Sequence, residues 1–122
     1  MSVSITPSAT SSKILVTASL SMSANTSLSF KMLRDSTEQL RGDAAGSNRA
    51  RGVAGGTSMD EGMLDSWTYC YLDSPSSTSS LAYKAQWLVQ SDTGYLNRPH
   101  TDSDLSYYTR GASSITVMEI LA

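Results

Sequence analysis

The most regular feature of the chain is an alternation of large apolar with small polar residues, repeated in separate stretches. In "KILVTASLSM", Ile14, Val16, Ala18, Leu20 and Met22 fall on one side of an extended backbone, and Thr17, Ser19, Ser21 and Ser23 on the other. That period of two belongs to a half-buried strand. "TSLSFKML" repeats it, with Leu28, Phe30 and Met32 opposed to Ser27, Ser29 and Lys31. So does "LAYKAQWLV", where Leu81, Tyr83, Ala85, Trp87 and Val89 oppose Ala82, Lys84, Gln86 and Gln90. "DSWTYCYL" and "SSITVMEIL" are apolar on both faces and rich in aromatic or β-branched residues. They read as strands covered from two sides, or as strands that meet a second chain.

Turn-forming clusters separate these runs: "TPSATSS", "RDST", "GDAAGSN", "GVAGG", "LDSPSST", "SDTG" and "NRPH". No segment carries a helical stripe, although "TEQLRGDAA" has room for one short turn of helix. Several strands without helices predict an all-β chain, an antiparallel β-sandwich of jelly-roll type. The serine-rich patch inside "YLDSPSSTSSLAYKAQWLVQ" then reads as a hairpin connection, with Asp73 and Ser74 starting a turn and Pro75 fixing its φ.

Composition narrows this picture without changing it. Serine makes up roughly a fifth of the chain, a proportion that by itself would point to disorder, but the alternation assigns many of the serines to the polar faces of strands. At 122 residues the chain is sized for a single domain spanning residues 1–122. A formal charge of -2 with 16% charged residues supplies no basic field for nucleic acid and no acidic tail. Cys70 is the only cysteine, so no internal disulfide forms, and its setting in "WTYCYL" predicts a buried, inert thiol. No apolar run approaches the roughly 20 residues that cross a bilayer, and the opening residues show no basic n-region. The expectation is a soluble chain without a classical export signal or a membrane partner.

Candidate chemistry is sparse. His100 and Cys70 are too few soft ligands for zinc. A serine nucleophile would have to use His100 beside Asp102 and Asp104, in "NRPHTDSD", without a nucleophile elbow. "DSDL" lacks the further oxygen ligands and glycine of a calcium loop. Asp60, Glu61 and Asp65 crowd one local segment and do not define carboxylates facing across a cleft. No cofactor is implied, and the expectation is a protein without catalytic activity. "LRGDAAGSNRARG" sets Arg41, Arg49 and Arg51 in a glycine-containing stretch that is either a solvated loop or an arginine arm for an acidic neighbour. Tyr95, Asn97, Arg98, Tyr107 and Tyr108 offer aromatic faces and polar groups of the kind that suit sugars, or else subunit contacts.

Four segments carry a resemblance: "SITPSATSSKILV", "YLDSPSSTSSLAYKAQ", "GYLNRPHTDSD" and the closing "ASSITVMEI". Together, and in this order, they resemble a small β-sandwich domain of virion proteins from tailed phages, especially those of cyanobacteria. That family usually has a further strand before the "SVSITP" segment, whereas here Met1 immediately precedes it, so the resemblance implies that the domain lacks this strand, that a neighbouring chain supplies one, or that the chain is a C-terminal piece of a longer protein. The resemblance implies a structural protein on the particle exterior, made in the host cytoplasm and assembled as a trimer. It implies a capsid decoration, or cement, protein held on major capsid or other virion proteins. The alternative it leaves open is a tail-fibre tip or tail accessory domain that binds host surface glycans. In either case Arg41, Arg49, Arg51, Tyr95, Asn97, Arg98, Tyr107 and Tyr108 are the candidate interface residues.

Overall fold

A computed structural model of the chain describes residues 1–57 and 62–121. Those residues form nine strands: β1 (Ser2–Ile5), β2 (Lys13–Ser23), β3 (Ser27–Arg34), β4 (Thr37–Gln39), β5 (Ala54–Thr57), β6 (Asp65–Asp73), β7 (Leu81–Val89), β8 (Tyr95–Leu96) and β9 (Ser114–Ile120). The first sheet runs β1-β7-β3, and the short strands β4 and β5 lie end to end along the free edge of β3. The second sheet has β2 at its centre, with β6 on one edge and β9 and β8 in line on the other. Every pairing is antiparallel, and the two sheets face each other as a β-sandwich.

The core is the set of positions that the alternation picks out. Ile14, Val16, Leu20 and Met22 of β2 are wholly buried, and they meet Leu28, Phe30 and Met32 of β3 and Leu81, Tyr83 and Ala85 of β7. Each large side chain so buried contributes about 1.5–3 kcal/mol. From the second sheet, Tyr69 joins them directly, while Trp67, Tyr71, Ile115 and Val117 pack at the margin. The polar side of β2 is not uniformly wet. Ser21 and Ser23 are buried because the segment between β8 and β9 lies over them: Ser21 N–H donates to Ser113 Oγ at 2.9 Å, and Ser23 Oγ donates to the carbonyl of Arg98 at 2.8 Å.

One buried ionic cluster ties the sheets together. Arg34, at the end of β3, donates from Nη1 to both carboxylate oxygens of Asp73, at the end of β6, at 2.8 and 2.7 Å. Tyr83 of β7 donates its hydroxyl to the same carboxylate at 2.7 Å. The Asp73 side chain is only 5% exposed, so its charge depends on these two partners. Burial, reinforced by the hydrogen bond and charge of Asp73, holds the Tyr83 phenol well above its usual range.

Three expectations are corrected here. Residues 74–80 are not a hairpin: β6 belongs to the second sheet and β7 to the first, so the serine-rich patch crosses from one sheet to the other. Strands with inward apolar faces satisfy them equally by pairing or by facing each other across the core, and alternation alone does not choose. Asp73 accordingly starts no turn but is the buried end of β6. The short helix expected in "TEQLRGDAA" is instead β4, whose residues find hydrogen-bonding partners on β3 through a two-residue hairpin at Asp35 and Ser36. Asp35 takes the positive φ of 54° that such tight turns use.

Candidate binding groove

The segment from Leu40 to Val53 links β4 to β5 and rises over the outer face of the first sheet. Its base is closed by Gly42 N–H donating to the carbonyl of Gly52 at 3.0 Å, and by Val53 N–H donating to Phe30 at 2.8 Å. Gly52 is required at this point. A β-carbon there would lie 2.6 Å from the Phe30 carbonyl oxygen, inside any tolerable contact. Gly46, at the tip, has a φ of +75°, which glycine adopts without strain.

This arch and the sheet beneath it enclose a concavity of about 810 Å³, and all three arginines of "LRGDAAGSNRARG" line it. Across from them stand Lys31 on β3, Glu38 on β4, and Gln86 and Leu88 on β7. Lys31 and Gln86 are register partners, as are Ser29 and Leu88, so the outward residues of two adjacent strands make the floor. Leu88 is 59% exposed there. A second hollow of about 560 Å³ adjoins the first and shares Ser29, Ala50 and Leu88 with it; its other described lining residues, Asn48, Gly55, Gly56 and Gln90 among them, are uncharged. The two form one elongated groove along β3 and β7.

The charges in the groove are unevenly committed. Glu38 accepts from Lys31 Nζ at 2.6 Å and from Arg41 Nη1 at 3.0 Å. Those two hydrogen bonds, Lys31 first, hold its carboxyl below the usual glutamate range. Arg51 donates through Nε to the carbonyl of Gly42 at 2.8 Å, which ties its guanidinium to the base of the arch. Arg49 is exposed and makes no ion pair among the described residues. Among the described lining residues four cations stand against one carboxylate, an excess of positive charge on a chain whose formal charge is -2.

The other candidate residues lie at the opposite end of the second sheet's central strand, beside β8. Arg98 lies over the ring of Tyr95 at 3.8 Å, and His100 meets the same ring edge-on at 5.5 Å. Asn97, at φ 66°, accepts from Ser113 Oγ through its amide oxygen at 2.5 Å and donates its N–H to the Ser21 carbonyl. Tyr95, Asn97 and Arg98 therefore hold the β8–β9 segment together. Tyr107 and Tyr108 stack edge to face at 4.9 Å, and Tyr108 packs against Gly62. Tyr107 is 71% exposed and borders a shallow hollow of about 350 Å³ with Met63, Leu64 and Thr109.

His100 and Asp102 do not form a pair. His100 Nε2 lies 3.1 Å from Asp92, and Asp102 is bound by Arg110 and lies 3.7 Å from Arg98. Asp60 and Glu61 lie outside the described residues, and no metal-ligating cluster occurs among those described. Cys70 is a further correction: it is exposed on the outer face of the second sheet, because its inward neighbours Tyr69 and Tyr71 take the core side of β6. The same face ends in an exposed apolar group, with Leu72 and Met118 flanking Leu15 in register and Ile120 beside Lys13.

Lys31, Glu38, Gln86 and Leu88 are the groove residues that sequence reading misses. The only sequence signal of Lys31, Glu38 and Gln86 is polarity at outward strand positions, and Leu88 is an apolar residue at such a position with no signal of its own; strand pairing brings them together. Comparison with models of known protein families and with curated proteins finds no match to this chain.

Proposed function

We propose that this chain is a non-enzymatic bacteriophage virion protein that decorates the capsid from outside and stabilises it by joining shell subunits. The observation that carries this reading is the convergence of Arg41, Arg49 and Arg51 on one groove. Arginine suits that role because its planar head binds carboxylates in pairs of hydrogen bonds. The resemblance to phage virion domains supplies the setting. In this reading the apolar end of the second sheet, Leu72, Met118 and Ile120, is where copies meet in a trimer.

A second reading is a tail accessory domain that binds host glycans, favoured by the exposed ring of Tyr107 over its shallow hollow. Labelling the protein on intact particles and imaging them separates the two. Label spread over the shell, and lost when Arg41, Arg49 and Arg51 are all replaced by alanine, is the expected result. Label confined to the tail overturns decoration and turns attention to Tyr107.

A further inference from the structure

We infer that the groove over the first sheet takes an extended polypeptide segment in which a cluster of carboxylates adjoins an uncharged, partly apolar stretch. The inference rests on reading this groove as a binding site and names the chemistry of its occupant. Three features of the groove select that chemistry.

The first is charge complementarity. Among the described residues Arg49 has no ionic partner and Arg51 is held by a backbone contact, so two guanidinium heads stand ready for carboxylates at one end. The second is asymmetry. Among the described residues the adjoining half carries no charged lining residue, and the junction between the halves is the exposed side chain of Leu88. A nucleic acid or polysulfated glycan carries charge at every repeat and would bring phosphates or sulfates into the uncharged half without compensation. A polypeptide can change from acidic to apolar within a few residues. The third is Glu38, a carboxylate in the wall of the cationic half, which repels a continuous polyanion but leaves room for a ligand with spaced charges.

The shape agrees with an extended ligand. The groove follows the direction of β3 and β7, and its uncharged half is bordered by Gly55, opposite outward-facing Ser29, where no side chain bars the approach of another backbone.

The test uses the purified chain and a fluorescein-labelled peptide with a run of aspartate and glutamate joined to a run of leucine, serine and glycine, made in both chain directions. Fluorescence polarisation is expected to show saturable binding for at least one direction. Replacing Arg49 and Arg51 together by alanine should weaken it about tenfold or more, the loss of roughly 1.4 kcal/mol or more. The double lysine variant should recover only part of the loss, because lysine restores the charge but not the paired donors. Leu88→Ser should weaken the mixed peptide while leaving an all-glutamate peptide unaffected, with circular dichroism confirming that each variant is folded.

Equal affinity for polyglutamate, heparin or single-stranded DNA would overturn the inference and leave a simple polyanion site. Absence of binding by the folded protein would overturn it too. The virion reading fails separately: peptide binding without label on particles removes the particle role and keeps the groove's chemistry, whereas particle labelling without peptide binding removes this inference alone.

Discussion

At the joint between the sheets, Arg34 commits one nitrogen to both oxygens of Asp73, with Tyr83 completing the carboxylate's shell, and the carboxylate itself is buried. In the groove, Arg49 has no ionic partner among the described residues, and Arg51 makes only a contact with its own loop. The same side chain holds the fold in one place and stands open to a ligand in the other. What separates the cases is whether the local structure uses up the donors. A buried carboxylate gives an arginine a fixed partner, whereas a loop arched over a sheet leaves its heads directed outward.

The comparison breaks most readily at the joint. Arg34→Ala leaves the Asp73 carboxylate buried without its cation and should cost about 3–5 kcal/mol. By contrast Arg49→Ala should stay within about 0.5 kcal/mol of the parent, the range of surface changes. Thermal unfolding of the two variants side by side checks both, and a large loss for Arg49→Ala would mean that the loop arginine is part of the fold. The next effect in size is at Gly52, where alanine drives a β-carbon into the Phe30 carbonyl. It should cost about 1–3 kcal/mol and loosen the arch, seen as faster amide exchange at Val53 while β2 amides stay protected.

The smallest effect is at Glu38. Its carboxyl is held low, so whatever its contacts with Lys31 and Arg41 contribute is present above the ordinary glutamate range and disappears as pH falls through the depressed value. A carboxyl-detected NMR titration should place its midpoint below that of a free glutamate, and Arg41→Ala should raise it. No change in the variant would show that Arg41 is as uncommitted as Arg49.

Much of the sandwich is legible in the sequence, for a physical reason. Burial between two sheets enforces a period of two, and β2 from Ile14 to Leu20, β3 from Leu28 to Met32 and β7 from Leu81 to Ala85 display it; it fails at Trp87, expected on the core face but exposed at the outer end of β7. Periodicity does not report which sheet a strand joins, so residues 74–80 pass for a hairpin although they cross between sheets. Nor does it report which face of a doubly apolar strand turns inward; the tyrosines of β6 fill the core, and Cys70 is left outside. The arginines of the groove are visible as a cluster because they lie within one loop. Lys31, Gln86 and Leu88 are not, because they become neighbours only through the β3–β7 register. Arg34 and Asp73 pass for a strand end and a turn residue, since a buried pair made across two sheets leaves no local mark.

The pairing of β2 also constrains how the protein is made. Its edge is completed by β9, with Lys13 opposite Ile120, so a strand that leaves the ribosome early relative to its partner must wait until the distant β9 has been synthesised. During that interval β2 carries an unpaired edge beside an uncovered apolar face, the combination that recruits neighbouring chains on a polysome. The serines and threonine along its other face keep the waiting strand wet on one side. Folding dominated by such distant pairings is slow, on the order of milliseconds to seconds, and the yield of native protein depends on nascent chains being kept apart until β9 arrives.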